Sequence, residues 1–156
     1  RHGDWIKITK NKGVIIYGRS DATLNKGGVR LGTSEIYKNV DLLEEVEDSM
    51  IVCVDLESGK QFMPLFIKTK QKLTKELILK INNILRKNCS PRHVPDSIYK
   101  IQEIPYTISG KKMESPIKKI LMGMDVEKSI SRDAMKNPKA VDFFIDFRSK
   151  ELKKLI

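Results

Sequence analysis

The chain has 156 residues, two cysteines and a formal net charge of +10. That length allows one domain with a real core, and no apolar run is long enough to span a bilayer. Cys53 and Cys89 are far apart and form no CxxC pair, which argues against a zinc site or a disulfide scaffold and suits a reducing, cytoplasmic setting. The charge is uneven. Residues 60–120 hold 14 Lys/Arg against 4 Asp/Glu, whereas residues 1–59 hold 8 against 10. The middle of the chain therefore offers a basic surface to an anion, either nucleic acid or a polyphosphate; a merely lysine-rich solvated surface is the alternative.

The opening RHGDWIKITK is charged, lacks an apolar h-region and has no initiator Met, so a piece of a longer protein is expected. Residues 1–20 read as a hairpin: Trp5, Ile6 and Ile8 on one strand, a turn at Asn11–Gly13, and Val14–Tyr17 returning. Gly27-Gly28 is a second turn. Thr33 or Ser34 is placed to cap a helix reaching about Leu43, with Ile36, Val40 and Leu43 on its buried stripe. Met50–Leu56 reads as one central strand. Gln61–Lys68 reads as a second strand, with Pro64 marking an edge or bulge. Thr74 opens an amphipathic helix to about Asn88, with Leu77, Ile78, Ile81, Ile84 and Leu85 on one face. A further strand is expected near Ile98–Ile101. Ser115-Pro116 reads as the start of a helix carrying Ile117, Ile120 and Leu121, and Asn137-Pro138 as the start of another carrying Val141, Phe144 and Ile145. The order predicts an α+β domain, a small mixed sheet flanked by helices.

Two strings carry the chemistry. GRSDATLNKGGVRLGTSEIY, from Gly18 to Tyr37, joins an arginine, an aspartate, a Gly-Gly turn, a second arginine and a helix start. About ninety residues on stands PYTISGK, from Pro105 to Lys111. The first resembles the hinge motif of the adenylate-forming enzymes, and the second resembles their C-terminal lysine motif. Both occur in order, with a βα-rich stretch between, and the resemblance covers roughly residues 1–123. It implies the small C-terminal mobile domain of an acyl-CoA synthetase. Residues 1–20 would then be the end of the large N-terminal domain, 21–125 the small domain and 126–156 a helical tail.

The same resemblance implies roles residue by residue. Lys111 is the catalytic lysine, in preference to its neighbour Lys112. Asp4 takes the nucleotide ribose, because a carboxylate accepts two hydroxyl protons at once; a turn-forming aspartate is the alternative. Arg19 and Arg30 meet ATP or AMP, and Asp21 is the hinge. Gly28 leaves the pantetheine arm of CoA room against the backbone. Arg86 takes the CoA nucleotide phosphates, or is a solvated arginine at a helix end. The sequence departs from the family at Ala22, where many relatives have a second aspartate, and at Glu114, where a basic residue is common. ATP and CoA are implied as substrates, with Mg2+ held by the N-terminal domain and no metal site here. SPRHVPDSIYKI and the tail NPKAVDFF resemble the branch acting on a short keto acid. An acetyl- or propionyl-CoA synthetase is the nearer rival, and a basic nucleic-acid-binding module the more distant one. No membrane partner is expected.

Overall fold

The computed structural model describes the backbone of residues 4–19 and 23–154, and side chains at 6–14 and 23–154. Two antiparallel hairpins come first, β1 (Asp4–Ile8) with β2 (Val14–Arg19) and β3 (Leu24–Lys26) with β4 (Val29–Leu31). Helix α1 (Thr33–Val40) follows. Its N-cap is Gly32 and no side chain caps it, so Thr33 and Ser34, expected as caps, lie inside the helix, with Thr33 buried. The chain continues through β5 (Asp48–Ile51), β6 (Val54–Asp55), β7 (Gln61–Phe62) and β8 (Pro64–Lys68). After α2 (Lys75–Asn88) and a 3-10 turn at Pro91–His93 come β9 (Ser97–Ile101) and α3 (Glu114–Leu121). The tail adds α4 (Val126–Ser129) and α5 (Ala140–Lys150).

Pro64 divides what the sequence presents as two long strands. In the β5–β8 ladder Ile51 pairs Leu65, so Val52 falls opposite Pro64 and donates to its carbonyl at 3.5 Å. Proline has no N–H to return, and the ladder stops there. The expected strand Met50–Leu56 is thus β5 and β6, the latter turning to pair with β7. The expected strand Gln61–Lys68 is likewise β7 and β8. They part at Met63, whose N–H donates to Asp96 Oδ2 at 2.8 Å instead of to a neighbouring strand.

The central sheet is mixed, in the order β5-β8-β9, with β8 antiparallel to β5 and parallel to β9. A parallel pair needs a crossover, and α2 supplies it. The Thr74 hydroxyl accepts from Leu77 N–H at 3.2 Å, capping the helix where the sequence placed the cap. Leu77, Ile81 and Leu85, at intervals of four, are buried; each contributes about 1.5–3 kcal/mol. Side-chain alternation along β8 builds a core on either face. Leu65 and Ile67 join Ile36 and Val40 of α1 and the α2 stripe. Phe66 points the other way, into Ile117 and Ile120 of α3 and Phe144 and Phe147 of α5. The result is helices, sheet, helices: an α+β domain in which the tail supplies part of one helical layer.

At α3 the helix starts two residues earlier than the sequence suggests: Met113 is the N-cap and the helix begins at Glu114, ahead of Ser115-Pro116. Asn137 also differs from its expected role. Its side chain does not cap α5 but reaches back to the loop described next. Both cysteines are free, and the Cys53 thiol donates to Asn25 C=O at 3.2 Å from a buried position.

Candidate active-site loop and glycine hairpin

Pro105–Lys112 forms a loop closed by a bridge between Tyr106 and Lys112. Inside it, Thr107 N–H donates to Lys111 C=O at 2.9 Å and Gly110 N–H to Thr107 C=O at 2.9 Å. The Thr107 hydroxyl accepts from Lys111 N–H at 3.0 Å and lies 2.9 Å from the Ser109 hydroxyl. Gly110 has φ +80, the left-handed region in which a side chain is strained. Short polar residues and one glycine thus fold the tip on itself.

The loop is fastened at its stem by one carboxylate. Asp48, the first residue of β5, accepts from the Tyr106 hydroxyl through Oδ2 at 2.8 Å and pairs Lys112 Nζ through Oδ1 at 2.9 Å. Lys112 Nζ also donates to Ser49 C=O at 2.6 Å and sits over the Tyr37 ring, 4.0 Å from its centroid. The Lys112 side chain is only 16% exposed, whereas Lys111 is exposed and no hydrogen bond or ion pair engages its Nζ among the described residues. The two adjacent lysines therefore divide into a structural anchor and an available cation. Glu114 accepts from the Tyr37 hydroxyl at 3.1 Å, and that hydroxyl accepts from Ile51 N–H at 3.1 Å.

Both tyrosines are driven away from ionisation. Burial, then the Glu114 charge, raises Tyr37. Burial, then the hydrogen bond to Asp48, raises Tyr106. The ordinary value is 10.0. Since the folded values lie above the unfolded ones, the stability these phenols contribute is fully present below about pH 10 and is lost as pH rises toward the folded values. Urea midpoints measured from pH 8 to 11 should therefore fall, and Tyr37→Phe and Tyr106→Phe should each make the fall shallower. An unchanged slope in both variants would disprove the assignment.

The second motif is the two-residue turn between β3 and β4. Gly27 and Gly28 have φ +58 and +77, the pattern of the tight turn that matches strand twist. Gln61 Oε1 accepts from Gly27 N–H at 2.7 Å. Lys26 Nζ pairs Asp96 Oδ1 at 2.8 Å and donates to Val94 C=O at 3.0 Å. A Cβ built on Gly28 meets nothing within 4 Å, so its outer face is open. Arg30 lies exposed on β4 and Arg86 exposed in the last turn of α2. Asp4 and Arg19 are register partners across the first hairpin, but their side chains, and Asp21 altogether, lie outside the described residues. The hairpin packs on the α1/α2 side through Leu24 and Leu31, and the lysine loop packs on the α3/α5 side through Ile104 and Met113.

Sequence reasoning missed Asp48, Asp96 and Asn137. Each acts on a residue 31 or more positions away, so no local pattern marks it. Among the described residues, no group of three or more His, Cys, Asp or Glu is placed to hold a metal ion, and no helix is long and apolar enough to cross a membrane.

No protein-family model matches the chain. Curated relatives do. The acetoacetyl-CoA synthetase of Caenorhabditis elegans is 42% identical over 151 residues, 94% of this chain and 21% of that protein. Those of Gallus gallus and Rhizobium meliloti are 42% and 40% identical over 92% of this chain, and 21% and 22% of theirs. Among solved structures, the acetoacetyl-CoA synthetase from Streptomyces lividans superposes with a TM-score of 0.86 at 36% identity, covering 96% of this chain and 22% of that one. The anthranilate CoA ligase AuaEII, at 22% identity and TM-score 0.64, shares the fold. The chain belongs to the adenylate-forming acyl-CoA synthetases, as a small C-terminal portion. Within that class its match is to the acetoacetyl-CoA synthetases, and it spans about a fifth of their length.

Proposed function

We propose that the chain is the C-terminal part of an ATP-dependent acid–CoA ligase that makes acetoacetyl-CoA. In the first half-reaction a carboxylate oxygen of acetoacetate attacks the α-phosphate of ATP, forming the acyl-adenylate and releasing pyrophosphate. In the second, the CoA sulfur attacks the acyl carbon and AMP leaves. Residues 1–20 close the large N-terminal domain, 21–125 form the small mobile domain, and 126–156 form the tail. The acyl pocket and Mg2+ belong to the N-terminal part, and the setting is cytoplasmic.

The observation that carries this reading is the division of labour at Lys111 and Lys112. A loop pinned at its base by Asp48 presents at its tip an ammonium group, that of Lys111, which no side chain engages among the described residues. Such a cation stabilises the charge that develops at phosphorus more than it stabilises the ground state. Asp4 would take the ribose, Arg19 and Arg30 the nucleotide, and Asp21 would be the pivot. Gly28, open outward at the tip of its hairpin, and Arg86 would receive CoA.

The test uses the whole protein that contains this chain, supplied with ATP, CoA and acetoacetate, acetate or propionate. Acetoacetate is expected to give the highest kcat/KM for AMP and acyl-CoA release. The 156-residue chain alone should show no acid-dependent ATP–pyrophosphate exchange. Preference for acetate or propionate would overturn the substrate, and exchange by the chain alone would overturn the division between domains.

A further inference from the structure

The tail does more than complete a helical layer. Between Ser131 and Asn137 it runs along one limb of the lysine loop. Ala134 C=O accepts from Ile108 N–H at 2.9 Å, Thr107 and Met135 form an antiparallel bridge, and Lys136 N–H donates to Tyr106 C=O at 3.0 Å. Asn137 then uses both ends of its side-chain amide. Oδ1 accepts from Tyr106 N–H at 3.0 Å, and Nδ2 donates to Ile104 C=O at 2.7 Å. One partner is an obligate donor and the other an obligate acceptor, so one orientation of the amide satisfies both. The segment is itself fixed, since Ile130 and Met135 are buried and α5 follows with Val141, Phe144 and Phe147 in the same core. Asp48 holds the loop at Tyr106 and Lys112 from the sheet side, and the tail holds residues 104–108 from the other.

We propose that Asn137, with the backbone of residues 134–136, is a positioning element for Lys111. The inference rests on the reading of Lys111 as the cation of the adenylation step. Asn137 acts through the loop backbone and touches no reacting atom. Its effect is to hold the ascending limb in one conformation, so that the ammonium arrives already placed. Misplacing a catalytic group by about 1 Å costs up to roughly 10²-fold in rate. Alanine leaves Tyr106 N–H and Ile104 C=O without these partners. Aspartate keeps an acceptor for Tyr106 but turns a carboxylate oxygen toward the Ile104 carbonyl.

The experiment is carried out in the full-length ligase with Asn137→Ala, Asn137→Asp, Lys111→Ala and the double variant Lys111→Ala/Asn137→Ala. Asn137→Ala is expected to lower kcat for ATP–pyrophosphate exchange by about 10- to 100-fold. It should leave acyl-CoA formation from supplied acyl-adenylate within about twofold, and speed hydrogen exchange at the Tyr106 and Ile108 amides. Asn137→Asp should follow it. In the Lys111→Ala background the further loss should vanish, because a positioning residue has nothing left to position. If Asn137→Ala fails to fold, Asn137→Ser, which keeps a short donor and acceptor, carries the same comparison. Losses that multiply in the double variant, equal damage to both half-reactions, or full exchange activity in Asn137→Ala would each overturn the positioning role while leaving Lys111 as the catalytic cation. Full exchange activity in Lys111→Ala would overturn the reading beneath it.

Discussion

Lys111→Ala in the full-length ligase is expected to slow acyl-adenylate formation by about 10²- to 10³-fold, the scale on which one transition-state stabiliser is lost. It should leave folding stability unchanged, because no interaction of the Lys111 ammonium exists to be broken among the described residues. Lys112→Ala provides the contrast. It removes the pair with Asp48, the bond to Ser49 C=O and the contact over Tyr37, so its defect should include a loss of stability of about 1–3 kcal/mol. Thioester formation from supplied adenylate should survive Lys111→Ala, since the phosphorus chemistry is finished by then. Gly28→Leu should show the reverse, blocking the path of CoA while sparing pyrophosphate exchange. At φ +77 any side chain is strained, and the left-handed conformation costs roughly 1–2 kcal/mol. Gly28→Ala carries that backbone cost without the bulk, so the difference between the leucine and alanine variants reports obstruction alone. Equal damage to both half-reactions by Lys111→Ala and Gly28→Leu would refute the assignment of these residues to different steps.

The elements that could be read from the sequence are those whose signals are local. Helix α2 announces itself through a threonine cap and apolar residues at helical spacing; the cap forms as expected, and of the five apolar residues Leu77, Ile81 and Leu85 are buried while Ile78 and Ile84 are half-buried beside them. The lysine loop and the glycine hairpin stand out as contiguous strings that resemble family motifs, and part of each folds on its own residues, Thr107 with Lys111 and Gly27 beside Gly28. What was hidden depends on pairing. The break after Ile51 is caused by a proline thirteen positions later, and it acts only because the ladder sets Val52 against Pro64. Asp48 looks like the end of an acidic connector until Tyr106 and Lys112 are brought to it. Asn137 looks like a helix-start signal, yet its amide is spent on residues 104 and 106. Helix α4 is a four-residue turn capped by Asp125, too short to leave a period.

Phe66→Ala is expected to be the most destabilising single change in the 156-residue chain. Phe66 lies in β8, the middle strand of the three, fully buried. Phe144 and Phe147 meet its ring edge-on at centroid distances of 4.9 and 5.2 Å, Phe143 does so at 5.9 Å, and Tyr99 stacks on it at 5.9 Å. Truncation loses the transfer free energy of the ring and leaves a cavity that paired strands cannot collapse to fill, for a cost of about 3–5 kcal/mol. A domain of this size has roughly 5–15 kcal/mol in total, so a large fraction of its stability goes with one side chain. Phe66→Leu fills most of the volume and should cost clearly less, which separates cavity formation from any change in strand pairing. The damage should also be directional. Three of the four aromatic partners belong to α5, whereas the α1/α2 layer packs on Leu65 and Ile67 from the opposite face. Protection of amides in residues 131–150 should therefore fall before protection in α2. Urea titrations of the three proteins, with hydrogen exchange resolved by segment, measure both effects. A loss below about 1 kcal/mol would mean that the aromatic cluster is not the joint between tail and sheet. Simultaneous loosening of α2 and α5 would mean that the two layers do not open separately.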